Sequence, residues 1–380
     1  MDAQRPDRSG RVRNVTVAAD VESSEFVIPD AMRAAVLMGP RDFQVVEKPV
    51  PRVDHGEVLV KVAMCGTCGT DLTIQDKPFP GQPPFGQFTP GHEWTGVVVD
   101  KAPDVDELMI GDRVAIHVHH GCGRCENCRV GSFTACLNYG NRSKGHRASG
   151  FTVDGGFAEY VTHHTSAVHR IPPSISWEEA VLITTAGTAM YGLERAGGVV
   201  AGDTVVVVGP GPVGLMAVQV ARAIGATRSI VVGTRDERLQ TALACGADHV
   251  VNSRTTDVAD AIRDLTGGRG ADMVIETSGH PSTPQQCLHM VRRGGTVLFL
   301  AFYPGPVPFD IGLANREQIT LVTSRGEGRS SVPRVLDLAV AGRISGAQLV
   351  THRFPLSEIQ AGFEALENKT GDPVKMVFVP

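Results

Sequence analysis

Apolar positions along this 380-residue chain change rhythm near residue 177. Before that point they come in short runs broken by Gly and Pro: Ala34 to Met38, Glu57 to Ala63, Thr95 to Val99, Arg113 to Val118 and Phe157 to Val161. Short β-like runs with frequent turns predict a barrel- or sandwich-like domain. Between them, Pro78 to Pro90 is rich in Pro, Gly, Gln and Phe and predicts an irregular loop. After residue 177, apolar strands alternate with helical stretches. The strands are expected at Thr204 to Val208, Ser229 to Val232, His249 to Val251, Asp272 to Glu276, Thr296 to Ala301 and Ile319 to Thr323. Helices are expected at Val213 to Ile224, Glu237 to Cys245, Val258 to Leu265 and Pro284 to Val291. Buried strands separated by helices imply an α/β fold with a doubly wound parallel sheet. The last stretch, Val332 to Pro380, opens with an amphipathic helix and ends in strand-like text at Val374 to Val379, which predicts a return to the first domain. The expected organisation is a mobile extension over 1–30, a β-rich domain over 31–180, a parallel-sheet domain over 181–331 and the C-terminal return over 332–380.

Composition narrows the class. A chain that is 42% hydrophobic and 20% charged has room for two packed cores. A formal charge of −5 with no dense Lys/Arg stripe predicts no nucleic-acid partner. The longest apolar runs are too short to span a bilayer and no signal peptide is visible, so a soluble cytoplasmic protein is expected. Four of the eight cysteines crowd into residues 122 to 136, and in a reducing compartment such a cluster binds metal more often than it forms disulfides.

Gly209, Gly211 and Gly214 form G-x-G-x-x-G between a valine-rich strand and a helix that opens with Pro212 and Val213. The first glycine permits a tight turn, the second lets backbone approach a pyrophosphate, and the third lets helix pack on strand. The helix N-terminus adds unpaired N–H groups and a favourable dipole. An NAD site of this kind places Asp or Glu after the second strand. Here the chain has Gly233, Thr234 and Arg235, with Arg238 one helical turn on. Guanidinium groups suit a 2′-phosphate, so NADP is expected over NAD; the plain alternative is that both arginines are solvated helix-start charges.

Cys122, Cys125, Cys128 and Cys136 read C-x2-C-x2-C-x7-C. Four thiolates close a tetrahedral shell around zinc and leave no place for substrate, so this site is expected to be structural. Nearby His117, His119 and His120 read as solvated or polar strand-end residues. A second constellation is dispersed: Cys68 opens Cys-Gly-Thr-Asp, and His92 and Glu93 follow Gly91. Cys68, His92 and Glu93 are competent zinc ligands that would leave an open position for an alcohol or carbonyl oxygen. Asp71 is expected to fix the His92 ring, and Thr70 to carry the alcohol proton.

Together these residues resemble the zinc-containing medium-chain alcohol and polyol dehydrogenases. The motifs run in family order from residue 32 to 380: Cys-Gly-Thr-Asp, Gly-His-Glu, the four-cysteine lobe, Asp-Gly-Gly-Phe-Ala-Glu-Tyr at 154–160, and the glycine loop. The resemblance implies a GroES-like catalytic domain, a Rossmann cofactor domain, a cleft between them, and a homodimer or homotetramer. Two positions depart from the family pattern. Where a Cys, Asp or Glu usually stands in the helical segment after the Phe-Ala-Glu-Tyr strand, this chain has Thr184 or Thr185, depending on the anchor chosen. Where many members carry a proton-relaying His five residues after the zinc Cys, it has Thr73. The expected activity is zinc-dependent hydride transfer between a secondary alcohol or polyol and NADP(H) or NAD(H). The rivals are a zinc-poor reductase of C=C or C=N bonds and a non-catalytic nucleotide-binding protein.

Overall fold

A computed structural model describes residues 13–15, 26–303 and 305–380. Most of the expected N-terminal extension lies outside them. Within it, Arg13–Val15 pairs antiparallel with Phe26–Ile28, and Ile28 is buried.

The β-rich part is built on one mixed sheet. Its strands run in the order Val168–Arg170, Arg113–Ile116, Glu93–Lys101, Glu57–Gly66, Lys375–Val379 and Val350–Pro355, with Tyr160–His164 also paired to Glu57–Gly66. Lys375–Val379 joins antiparallel to the end of Glu57–Gly66, pairing Val377 with Gly66. The strand Asp42–Pro49 escapes the apolar pattern because it forms a half-exposed ribbon with Ala31–Gly39 rather than a buried sheet member. The core beneath the sheet gathers Trp94, Phe88, Phe157, Phe363 and Phe378.

The second sheet is wholly parallel. Its order is His249–Asn252, Arg228–Gly233, Thr204–Val208, Ala271–Glu276, Val291–Phe299 and Thr320–Thr323, which in sequence order of the strands is 3-2-1-4-5-6. This is the Rossmann order. The valines of Thr204–Val208 explain why the strand is continuously apolar. Val205 and Val207 face one core with the helices Ile183–Arg195 and Pro212–Ile224, while Val206 and Val208 face the other with Val258–Leu265 and Thr283–Met290. All four valines are buried, each contributing about 1.5–3 kcal/mol of apolar burial. The α/β class with a GroES-like β-rich part and a Rossmann sheet therefore holds. No helix among the described residues is long and apolar enough to cross a membrane.

Candidate active site

Strand register brings the first motif pair together. Gly66, the last residue of Glu57–Gly66, lies directly across from Glu93, the first of Glu93–Lys101. Cys68, two residues past that end, and His92, one residue before the start, thus share one sheet edge. The ligand atoms of Cys68, His92 and Glu93 all lie within 4.8 Å of one another. Donors on a tetrahedral zinc, each about 2.0–2.3 Å from the ion, need roughly this spacing, so the three residues fit the ion. Gly91 is required for the approach: it holds φ +96°, and a Cβ there would stand 2.7 Å from the Phe157 nitrogen and 2.9 Å from Cys65 Sγ.

One carboxylate holds both ligands. Asp71, buried in the helix Gly69–Ile74, accepts the Cys68 backbone N–H through Oδ2 at 2.8 Å. Its Oδ1 sits 3.3 Å from His92 Nδ1, which leaves Nε2 facing Cys68. Burial works against a proton on His92, but the charge and hydrogen bond of Asp71 outweigh it and hold the imidazole well above its ordinary basicity. A metal must displace that proton. Thr70 donates its hydroxyl to Cys68 Sγ at 3.0 Å and stands 3.5 Å from His92 Nε2.

Glu93 is more heavily engaged than the sequence suggests. Its Oε2 is paired with Lys375 of the returning C-terminal strand, and its Oε1 accepts the Thr185 hydroxyl at 3.0 Å. Each carboxylate oxygen keeps a second lone pair for another partner. Lys375 is 1% exposed and also donates to the Thr67 carbonyl at 2.9 Å, so the charge is fully committed. The two threonines separate cleanly. Thr185 faces Glu93, whereas Thr184 turns away and donates to the Ile116 carbonyl at 2.8 Å. Sequence reading did not find Lys375; its one signal was a lone cation inside the apolar run Val374–Val379.

The four-cysteine lobe is a second, separate cluster whose sulfur atoms also lie within 4.8 Å of one another. The Cys122–Cys128 and Cys125–Cys136 sulfur distances are 4.0 Å, about twice a disulfide bond, and all eight cysteines are free. Backbone N–H groups of Cys122, Cys125, Cys128 and Asn138 point at these sulfurs over 3.4–3.5 Å, and the Asn138 amide donates to Cys122 at 3.1 Å. Such donors suit thiolate charge.

Of the three neighbouring histidines, expected as solvated or polar strand-end residues, two are not solvated. His117 and His119 are buried, His117 Nδ1 lies 2.8 Å from His169 Nε2, and the His163 ring reaches the His117 carbonyl at 3.1 Å. Burial, with Coulombic repulsion from His169 second, holds His117 well below its usual pKa.

The glycine loop behaves as its spacing predicts. Gly209 has φ +101° and packs against Ser278, and a Cβ on Gly214 would lie 2.1 Å from the Gly209 carbonyl. A Cβ on Gly211 would meet nothing within 4 Å, so this face of the loop opens onto the neighbouring cleft. Gly233 packs against the loop, since a Cβ there would strike Pro210 at 2.7 Å. Thr234 is exposed. Arg235 and Arg238 both pair with Asp372 of the C-terminal return.

A cleft of about 410 Å³ joins these parts. Cys68, Thr70, Thr73, His92 and Glu93 line one end, and Gly211, Pro212, Val213, Thr277 and Ser278 the other. Its wall includes Glu327, which nothing in the sequence singled out. That carboxyl is 1% exposed, accepts the Val118 N–H at 3.0 Å and the Thr188 hydroxyl at 3.1 Å, and is pushed up to about 7 by burial.

Residues 54–173 match the alcohol dehydrogenase GroES-like domain, and residues 212–341 match the zinc-binding dehydrogenase family. The chain belongs to the zinc-containing medium-chain dehydrogenases. It is 32% identical to the sorbitol dehydrogenase of Bacillus subtilis (strain 168) over 366 residues, covering 93% of this chain and 98% of that one. It is 34% identical to the L-threonine 3-dehydrogenase of Pyrococcus abyssi over 345 residues, 88% of this chain and 95% of that one. Among solved structures, a zinc-binding dehydrogenase from Sinorhizobium meliloti 1021 bound to NADP superposes with a TM-score of 0.82 at 28% identity, over 92% of this chain and 99% of that one. As a member of this family the chain is an oxidoreductase of the zinc-dependent alcohol and polyol dehydrogenase type, using zinc and a nicotinamide. The zinc-poor reductase and the non-catalytic protein are not favoured by these relationships.

Proposed function

We propose that this dehydrogenase moves hydride reversibly between a secondary alcohol or polyol and NADP(H) or NAD(H), with its catalytic zinc on Cys68, His92 and Glu93 and a structural zinc on Cys122, Cys125, Cys128 and Cys136. The observation that carries the reading is the single cleft lined at one end by the three ligands and at the other by the open face of the glycine loop. Zinc, when bound there, supplies the Lewis acidity that lets an alcohol ionise near neutral pH. The protein's side chains do the rest. Asp71 fixes the ring of His92 and the backbone of Cys68, Lys375 and Thr185 aim Glu93, and Thr70 Oγ1 stands where an alcohol proton would be handed on. The helix N-terminus at Pro212 receives the pyrophosphate.

Glu327, Thr188 and the buried His119 put polar groups into a cleft wall that also carries Phe79, Phe151, Leu300 and Phe302, a mixed lining that suits a substrate with both hydroxyl and alkyl carbon. NADP(H) is favoured through Arg235, the arginine of the pair that is partly exposed. A homodimer or homotetramer in the cytoplasm completes the reading, the eight free thiols being suited to a reducing compartment. The test is zinc stoichiometry alongside turnover of a panel of secondary alcohols and polyols with each nicotinamide. Two zinc ions per chain and polyol oxidation are expected. One zinc per chain together with reduction of a C=C or C=N substrate would overturn the reading.

A further inference from the structure

The adenosine end of the cofactor site contains a carboxylate that no motif announces. The strand Arg228–Gly233 ends beside the glycine loop, and Arg235 caps the helix Asp236–Ala244 that follows. By the logic of the Rossmann turn, this corner faces the ribose 2′ position. Its two arginines are not equivalent. Arg238 has a side chain only 6% exposed, and every nitrogen is occupied: Nε donates to Asp372 Oδ2 at 2.9 Å, Nη1 to the Pro210 carbonyl at 3.4 Å, and Nη2 to the carbonyls of Pro373 and Asp372. It ties the glycine loop to the C-terminal return. Arg235 is 38% exposed and gives Nη1 to Asp372 Oδ1.

Asp372 therefore bridges both guanidinium groups. It comes from the other lobe, on the turn before the strand Lys375–Val379, three residues from the lysine that pairs with Glu93. Its backbone has φ +52° and sits in a turn closed by its own N–H on the Lys369 carbonyl at 3.1 Å. A 2′-phosphate arriving at Arg235 would meet the charge of Asp372 on the same guanidinium. A ribose diol would instead find an acceptor for its hydroxyl hydrogens.

We propose that Asp372 is the determinant of nicotinamide selectivity in this enzyme, its ion pair with Arg235 reducing the preference for a 2′-phosphate and keeping NAD(H) usable. The proposal rests on the reading that Arg235 faces the 2′ position. It places part of the cofactor choice in the C-terminal return of the catalytic lobe rather than in the nucleotide fold.

The test is fluorescence titration of NADPH and NADH, without substrate, against the parent, D372N, R235A and D372N/R235A. Asn tolerates positive φ better than most residues, so D372N removes the charge with little backbone strain; D372G is the second variant should D372N fold poorly. A like charge about 6 Å away is worth between about 3-fold in bulk water and about 100-fold near a protein surface, so a rise of roughly tenfold is expected in the NADPH-to-NADH affinity ratio for D372N. In the R235A background that gain should shrink, because the released guanidinium is missing. An affinity ratio unchanged in both D372N and D372G, while R235A still weakens NADPH selectively, overturns the role of Asp372 alone. If R235A weakens both nicotinamides equally, the reading of the 2′ corner fails, and the proposal with it.

Discussion

The two cysteine-bearing clusters differ in how their ligands come together. The four-cysteine lobe draws its sulfurs from 15 consecutive residues, 122 to 136, and sharp local turns suffice to aim them. The second cluster draws on Cys68, His92 and Glu93 from two strand ends, with Asp71, Thr185 and Lys375 behind them from three further segments. A closed shell made from local chain can be robust and chemically inert. An open shell must leave a position for substrate, so its geometry has to be enforced from outside, by buried hydrogen bonds and ion pairs.

Several variants sharpen or break this contrast. His92→Ala should have the largest effect, lowering kcat/KM by more than about 10³-fold, the order of several kcal/mol lost with the metal. Zinc analysis should then find one ion per chain; two retained ions would refute the assignment of His92. Cys125→Ser should do the reverse, releasing the lobe's zinc and lowering Tm by roughly 4 °C, as expected for about 3 kcal/mol in a chain of this size. Unchanged metal content in that variant would mean that the lobe holds no zinc.

Acidification tests the floor under the lobe, where His117 stacks on Phe133 at 5.2 Å and leans on His169. His163 and His169 are each held down to about 4, chiefly by burial, against about 6.5 in an unfolded chain. Between those values the unfolded state binds more protons than the folded one. Stability should therefore be complete above pH 6.5 and drain away as pH falls toward 4, by up to about 3 kcal/mol for each group. Urea unfolding of the parent and of His169→Gln across this window should show a shallower pH slope in the variant; parallel slopes would exclude His169 as a contributor.

Asp71→Asn removes the outside support of the open shell while leaving its three ligands. A loss of roughly 10- to 100-fold in metal affinity or turnover is expected, the usual range for a group that orients a ligand. Full activity would show that the shell needs no such brace. The smallest effect belongs to Thr185→Val, which deletes one hydrogen bond to Glu93 at a cost of about 0.5–1.5 kcal/mol. Turnover should fall less than tenfold with both zinc ions in place. Loss of the second zinc would make Thr185 a ligand after all. Thr184→Val should leave the metal untouched, since its hydroxyl serves the Ile116 carbonyl.

What the sequence by itself determined was whatever depends on neighbours along the chain. The parallel-sheet strands were readable because strands buried on both faces, such as Thr204–Val208, must be continuously apolar. The roles of Gly209 and Gly214 followed from the tight turn between strand and helix, and the four-cysteine lobe from its spacing. Tertiary structure alone decided the rest. Whether Thr184 or Thr185 faces Glu93 depends on the rotation of one helix against a distant strand. The commitment of Arg238 to Asp372, the burial of Glu327 and the pairing of Lys375 with Glu93 join residues 134, 209 and 282 positions from their partners. No local pattern encodes such contacts, because a charged side chain reads as solvated until the fold supplies its partner and removes the water.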